Sequence, residues 1–169
     1  MLLLATDLDG TFLAGSEEEK LSLYGLFREK DELQLIFVTG RGVESVIPLL
    51  NDAIIPNPDY LICDVGATVL NGRNLEPVQP LQSQIERLWP GQLVFIEALK
   101  DVKGIRFQEN PQERRCSFWF DEGADLDPVY KVAEQHNCDV LVSAGKYVDI
   151  LPRGVNKGST LTKLMKLIG

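Results

Sequence analysis

Short apolar runs alternate with amphipathic segments along the first third of the chain. Each run ends at polar or glycine residues, which is typical of the buried strands of a parallel sheet. These runs cover residues 2–6, 33–38 and 60–63. Between them, Ser16 and Glu19 have the spacing of a capping box, which predicts a helix from Glu17 to Lys30, and a second helical pattern covers 44–51. The order strand, helix, strand, helix, strand predicts an α/β fold with a Rossmann-like parallel sheet.

The pattern changes after residue 67. Residues 68–70 followed by Asn71-Gly72 predict a β-hairpin with a tight turn. Helical patterns then follow over residues 81–99, with a break at Pro90-Gly91, and again from an N-cap at Asp127 to about residue 137. Strand patterns follow at residues 105–108, 116–120, 140–142 and 147–151. A last helix begins at Asn156 or Ser159 and ends near Ile168. We therefore predict an α+β unit over residues 74–150, inserted into a core made of 1–73 and 151–169.

Composition and charge exclude several classes of protein. The 17 Lys and Arg against 25 Asp and Glu give a net charge of −8, which argues against nucleic-acid binding and against docking on an anionic membrane. No apolar run is long enough to span a membrane, and the apolar start lacks the basic residues of a signal peptide. The three cysteines form no C-x-x-C pair, so we expect a reduced, cytoplasmic protein. Trp89, Phe118 and Trp119 are interpreted as packing residues of the inserted unit.

The strongest chemical signal is Asp7-Leu8-Asp9-Gly10-Thr11, directly after the first strand. In open parallel sheets, ligands bind beyond the carboxyl ends of the strands. Two carboxylates at such a turn need a balancing proton or cation, and Mg²⁺ suits oxygen ligands of this kind. An ordinary loop with Asx turns is the alternative interpretation.

Two further segments fit an anion site. Thr39-Gly40-Arg41 ends the second strand, where its hydroxyl and backbone N–H groups could bind phosphate oxygens. Lys157 lies where the last helix begins, which favours an anion. Taken singly, the first segment is also typical of a strand-to-helix turn and Lys157 of a surface lysine.

Together and in this order, these segments resemble three motifs of the haloacid dehalogenase (HAD) superfamily of phosphatases. Asp7-x-Asp9-Gly10-Thr11 resembles the first motif, Thr39 with Gly40 and Arg41 the second, and Lys157 the third. The inserted unit stands where one branch carries its C2-type cap. Within that branch the chain is most similar to the sucrose-phosphate phosphatases. The supporting stretches are residues 64–68, 115–121 and 148–158.

The resemblance implies hydrolysis of a phosphorylated sugar through an aspartyl-phosphate. Asp7 would be the nucleophile and Asp9 the general acid and base, and the Asp7 carboxylate and the backbone carbonyl of Asp9 would hold Mg²⁺. Gly10, Thr39, Gly40 and Lys157 would bind the phosphate.

Polar side chains of the core edge and the inserted unit are candidates for contacts with the sugar. They are Arg41, Lys146 and Asp149, with Gln108 and Ser117 as further candidates.

One departure from the superfamily concerns its fourth motif, an acidic pair on a strand after the third-motif helix. The sequence shows no acidic cluster after Lys157. We therefore expect a core that is incomplete at its C-terminus, weaker Mg²⁺ binding, weaker phosphatase activity, and an open sheet edge that could support self-association.

Two other functions stay open. The first is a non-catalytic or partner-complemented module that binds a phosphorylated sugar. The second is a receiver-like domain that accepts phosphate on Asp64, although a receiver has no place for the inserted unit.

Overall fold

The computed structural model describes residues 2–28 and 33–169. Its first sheet has the order β1-β2-β3-β4, with β1, β2 and β3 parallel and β4 antiparallel to β3. The strands are β1 (Leu2–Thr6), β2 (Leu33–Val38), β3 (Tyr60–Cys63) and β4 (Thr68–Asn71). Three parallel strands at the predicted places confirm the α/β fold class, and their carboxyl ends define one edge where loops can meet.

Helices cover both faces of this sheet. The helices of the chain are α1 (Glu17–Arg28), α2 (Val43–Leu50), α3 (Leu81–Arg87), α4 (Gln92–Leu99), α5 (Asp127–Gln135) and α6 (Lys157–Ile168). Because side chains alternate along a strand, Ile36 and Val38 of β2 pack on one face with Leu164 of α6, whereas Leu35 and Phe37 pack on the other face. The predicted end of the first helix at Lys30 lies outside the described residues.

A second sheet forms the predicted α+β unit. It is antiparallel, with the order β5-β6-β8-β7. Its strands are β5 (Ile105–Phe107), β6 (Cys116–Phe120), β7 (Cys138–Ser143) and β8 (Tyr147–Pro152). Phe95 of α4 and Val129 of α5 pack with Phe118 and Ile150 on one face of this sheet. Strand β8 continues to Pro152 and so crosses the predicted division between residues 150 and 151. The division stays a prediction.

Most helix ends follow the signals in the sequence. The Ser16–Glu19 capping box is formed, with the Glu19 backbone N–H donating to Ser16 Oγ at 3.2 Å and the Ser16 N–H donating to Glu19 Oε2 at 2.8 Å. Asn156 is the N-cap of α6. Asp127, predicted as an N-cap, is instead the first residue of α5, so that prediction was wrong by one position.

The predicted two-residue turn at Asn71-Gly72 was wrong. The Leu75 backbone N–H donates to the Asn71 carbonyl at 3.0 Å, and the Asn71 N–H donates to the Glu76 carbonyl at 2.9 Å, so a longer loop connects the two sides. A Cβ at Gly72 would lie 1.9 Å from the Pro58 carbonyl oxygen. Gly72 therefore permits a close approach of two backbones, where the sequence suggested a tight hairpin turn.

One edge strand of the first sheet is β1. In the described part of the chain β1 pairs with β2 alone, and Leu2 is 63% exposed. Self-association through this edge stays a prediction. Within residues 2–28 and 33–169, no helix combines the length and the apolar character needed to cross a membrane.

Candidate active site

A cleft of about 930 Å³ separates the carboxyl ends of β1 and β2 from one face of the second sheet. Its size lies within the usual range for sites that bind small molecules. Asp7, Asp9 and Arg41 line it from the loops after β1 and β2, Lys157 lines it from the start of α6, and Asp149 lines it from the second sheet. Residues from three distant parts of the sequence therefore meet in one cavity.

The aspartate turn is anchored from below by apolar packing. Leu8 is fully buried, and the Phe12 ring lies 4.9 Å from the Tyr24 ring and 5.1 Å from the Phe37 ring, measured between centroids. The Tyr24 hydroxyl donates to the Phe12 carbonyl at 2.8 Å. These contacts fix the turn while the Asp7 carboxylate faces the cleft.

Lys157 is held beside Asp7 by the loop that follows β3. A Cβ at Gly66 would lie 2.3 Å from the Asn156 carbonyl carbon, so only glycine permits this approach. The Thr160 hydroxyl donates to the Gly66 carbonyl at 2.8 Å. As a result, Lys157 Nζ lies 3.1 Å from Asp7 Oδ1. A cation at the N-terminus of a helix can stabilise negative charge at this point.

The loops after β2 and β3 support each other. The Asp64 N–H donates to the Arg41 carbonyl at 2.8 Å, and the Val65 N–H donates to the Thr39 carbonyl at 3.2 Å. Val65 lines the cleft and has a φ of 58°, which is unfavourable for a β-branched residue. Strained backbone of this kind clusters at functional sites.

Arg41 binds Asp9 across the cleft floor. Arg41 Nε donates to Asp9 Oδ2 at 2.9 Å, and Nη2 donates to Oδ1 at 2.5 Å, which is a bidentate pair. This hydrogen bonding lowers the pKa of the Asp9 carboxyl from its ordinary value, against the opposing effect of burial. Asp9 is therefore ionised in this arrangement.

A buried charge cluster joins the two sheets at the back of the cleft. Arg115 Nε lies 3.1 Å from Asp64 Oδ1, Arg115 Nη1 donates to the Gly40 carbonyl at 2.9 Å, and Nη1 lies 3.7 Å from Asp149 Oδ1. The Ser117 hydroxyl donates to the same oxygen of Asp149. Burial raises the pKa of Asp64, and the Arg115 charge opposes that effect.

The cleft collects most, but not all, of the predicted site residues. Asp7, Asp9, Gly40, Arg41, Asp149 and Lys157 line it, as does Gln108. Of the described chain, Gly10, Thr39, Lys146 and the further candidate Ser117 are not among the lining residues. Thr39 is fully buried and its hydroxyl accepts the Arg41 backbone N–H at 3.1 Å, while Lys146 Nζ lies 5.1 Å from the Tyr147 ring centroid. Their predicted roles stay predictions.

Two contributions to the site escaped the sequence analysis. Trp119 was interpreted as a packing residue, but it is 36% exposed and lines the cleft. Phe118 and Trp89, interpreted in the same way, do pack among the apolar residues of the second unit. The role of Arg115 depends on a contact with Gly40, 75 residues away in the sequence. The alternation of β6 could have separated Trp119 from Phe118, whereas no local signal identifies the contact of Arg115.

The donor set suits Mg²⁺. Within the ranges that the structure describes, no group of three or more Asp, Glu, His or Cys side chains is arranged to hold a metal. Mg²⁺ is commonly held by one or two carboxylates, with water and phosphate oxygens completing its shell. The Asp7 carboxylate, which lines the cleft, fits this mode of binding; Asp9 would contribute its backbone carbonyl, since both of its carboxylate oxygens accept from Arg41.

Comparison with known proteins identifies the family. The family model of sucrose-6F-phosphate phosphohydrolase matches residues 1–169. The chain belongs to this family. A solved structure with this fold is the sucrose-phosphatase from Synechocystis sp. PCC6803 in complex with sucrose and phosphate, with a TM-score of 0.76 and 26% identity over 99% of this chain and 70% of that one. The expected membership of the HAD-type sucrose-phosphate phosphatases is thereby confirmed.

Two curated relatives cover nearly all of the chain. Glucosylglycerol-phosphate synthase of Pseudomonas anguilliseptica is 47% identical over 165 residues, which are 97% of this chain and 22% of the relative. Probable sucrose-phosphatase 3b of Arabidopsis thaliana is 28% identical over 178 residues, 98% of this chain and 42% of the relative. The chain thus spans less than half the length of either relative.

Proposed function

We propose that this chain is a Mg²⁺-dependent phosphatase that hydrolyses the phosphate monoester of a sugar through an aspartyl-phosphate on Asp7. The observation that carries the proposal is the position of Asp7 in the cleft, 3.1 Å from Lys157 Nζ and two residues before Asp9. A carboxylate beside a fixed cation, at the carboxyl ends of parallel strands, is suited to attack on a bound phosphate. Family membership supports the same reaction.

In the first step, an oxygen of Asp7 forms a bond to phosphorus while the bond between phosphorus and the sugar oxygen breaks. The leaving oxygen takes a proton from Asp9. Lys157 Nζ stabilises the charge on the phosphoryl oxygens, and the backbone of Gly40 borders the same space.

In the second step, Asp9 takes a proton from a water molecule, whose oxygen attacks phosphorus and displaces Asp7. The lowered pKa of Asp9 beside Arg41 suits this second step, because the carboxylate then has to accept a proton. For the first step Asp9 must carry a proton, so Arg41 has to release it when the substrate binds. Arg41 is then free to contact the substrate, as the sequence suggested.

Mg²⁺ would be held by the Asp7 carboxylate and by Asp9, and it would neutralise negative charge on the phosphate when bound. Asp7 must keep one oxygen directed at phosphorus.

The substrate has two candidates from different relatives. The family model and the Synechocystis structure favour a sucrose phosphate. The 47% identity to a glucosylglycerol-phosphate synthase favours glucosylglycerol-phosphate, since a phosphatase-like segment in such a protein would act on the synthase product. Both are phosphate monoesters of a glycosylated compound, and the proposed chemistry at Asp7 is the same.

The test measures release of inorganic phosphate from both substrates with Mg²⁺ and after chelation. We expect Asp7→Asn to abolish turnover and Asp101→Asn, a change outside the cleft, to leave it unchanged. Labelling with acetyl phosphate should modify Asp7. Substrate binding without turnover would favour a binding module instead, and labelling of Asp64 would favour a receiver-like domain. The buried position of Asp64, 3% exposed and paired with Arg115, argues against the latter.

A further inference from the structure

The second sheet presents one face to its own core and the other to the cleft. Phe118 of β6 and Val148 of β8 are paired in register and buried among the apolar residues of α4 and α5. Their neighbours Trp119 and Tyr147 are also paired in register and, because side chains alternate along strands, lie on the opposite face. Both of these aromatic residues line the cleft that contains Asp7.

The cleft face changes in character along the strands. At one end, the Ser117 and Asp149 pair joins the charge cluster around Arg115. Two residues further along, on the same face, the Trp119 and Tyr147 rings lie 4.7 Å apart between centroids with an angle of 45° between their planes. The sheet thus places an aromatic surface next to carboxylate and hydroxyl groups.

This combination matches the two-sided chemistry of a sugar ring. The carbon-bound hydrogens of a pyranose form an apolar face, and the hydroxyl groups point outward from its rim. An indole ring offers a large flat surface to such a face, and a few polar groups at its border fix the orientation of the ligand. Within the described chain, the contacts of Asp149 with Ser117 and Arg115 both use Oδ1, which leaves Oδ2 for a sugar hydroxyl.

We propose that Trp119, supported from the side by Tyr147, is the platform on which the sugar ring of the leaving group stacks, with Asp149 as the partner of its hydroxyl groups. This inference rests on the proposed function, since it assigns the part of the cleft that selects the leaving group. It also explains why a tryptophan in the middle of a strand remains 36% exposed, whereas Phe118 beside it is 3% exposed.

The two tryptophans of the chain allow a direct binding experiment. Trp89 stacks on Phe95 in the core of the second unit, 5.3 Å between centroids, and does not line the cleft of the described chain. A Trp89→Phe variant therefore keeps Trp119 as its single tryptophan, whose emission is followed with excitation that tyrosine does not absorb. Titration with sucrose and with sucrose 6-phosphate should give a saturable change in emission. The matched Trp119→Phe variant, which keeps Trp89, should show none.

Steady-state kinetics give a second readout. We expect Trp119→Ala to raise KM for the sugar phosphate by about three- to tenfold, with little change in kcat, and Trp119→Phe to recover part of the loss because a ring is retained. Hydrolysis of acetyl phosphate, whose leaving group has no ring, should stay within about twofold of the unsubstituted protein, given that the phosphate site is untouched. Tyr130→Ala, an exposed aromatic of α5 outside the cleft, is the control.

Three results would overturn the platform. The first is unchanged KM for the sugar phosphate in Trp119→Ala. The second is an equal loss of acetyl phosphate hydrolysis, which would show that Trp119 supports the fold of the site. The third is emission from Trp119 that does not respond to either sugar. If instead the unsubstituted protein hydrolyses neither acetyl phosphate nor a sugar phosphate, the proposed function fails, while the sucrose titration still tests the platform by itself.

Discussion

Replacing Arg115 with methionine should destabilise the protein more than any other single charge removal around the cleft. Arg115 is 9% exposed and Asp64 is 3% exposed, and their closest side-chain atoms lie 3.1 Å apart. Methionine keeps most of the aliphatic volume of arginine but removes the guanidinium, so Asp64 is left as a buried, uncompensated charge. The same change removes the hydrogen bond from Arg115 to the Gly40 carbonyl, which joins the second unit to the core.

The magnitude follows from the burial of both partners. Breaking a buried ion pair from one side costs about 3–5 kcal/mol, because the remaining charge is neither solvated nor paired. The hydrogen bond from Thr68 to Asp64, 2.8 Å long, compensates only part of that charge, so we expect a loss of about 3 kcal/mol. Such a loss is a large fraction of the stability of an ordinary domain.

Urea denaturation followed by circular dichroism measures this loss. Arg106→Met is the matched control, because Arg106 belongs to the neighbouring strand β5 and its side chain is 73% exposed in a pair with Asp121. We expect this control to change the free energy of unfolding by no more than about 0.5 kcal/mol. The double variant Arg115→Met with Asp64→Asn should recover at least half of the loss, since it removes the stranded charge. Arg115→Lys should be intermediate.

The pH dependence of the loss has a definite sign. Burial already raises the pKa of Asp64, and removing Arg115 takes away the opposing attraction, so the pKa rises further. Since the folded state then binds a proton more tightly than the unfolded state, its stability falls as pH rises through the folded pKa. The deficit of Arg115→Met should therefore shrink as pH is lowered. A deficit below about 1 kcal/mol at neutral pH, or one that grows on acidification, would refute the argument.

Three further outcomes can be checked. Gly66→Ala should destabilise the protein by about 1–3 kcal/mol in thermal unfolding, because φ is 112° and a Cβ would meet the backbone of Asn156. In the control Gly25→Ala, in α1, the new Cβ meets no atom within 4 Å, so this change should be neutral or stabilising. Equal stability of the two variants would contradict this. Arg41→Met should raise the pKa of Asp9 and shift the alkaline limb of the kcat/KM profile to higher pH, because the first step needs Asp9 in its protonated form; an unmoved limb would show that Asp9 is not the titrating group. Burial raises the thiol pKa values of the three cysteines to about 12, 12 and 11 in chain order. Ellman's reagent should therefore react slowly with the folded protein, and it should react with all three thiols once the protein is unfolded in urea. Rapid labelling before unfolding would contradict the burial.

The parallel half of the fold was predictable because its signals are local and redundant. Each apolar run of the first sheet is bounded by polar residues, and the Ser16–Glu19 box marks a helix start by itself. The prediction of a two-residue turn at Asn71-Gly72 was wrong because the position of its glycine depends on a distant contact. Its glycine is used for contact with Pro58, and a dipeptide pattern carries no information about a distant backbone.

The candidate site divides in the same way. Asp7, Asp9 and Lys157 could be assigned because each directly follows or begins an element, and the topology of a parallel sheet brings strand ends together. Arg115 and Trp119 could not, since their positions depend on how the second sheet is placed over the first. The alternation of β6 tells only that Phe118 and Trp119 face opposite sides, and it does not tell which side is the cleft.

This division has a consequence for how the reaction and its specificity are encoded. The groups proposed to transfer the phosphoryl group lie in the first sheet and its loops, and they act on a chemical group common to every substrate. The groups proposed to select the sugar lie on the second sheet, and the Arg115 cluster joins this sheet to the core by its contact with Gly40 beside the proposed phosphate site. Substitutions on the cleft face of the second sheet can therefore change the preferred sugar without altering Asp7 or Lys157.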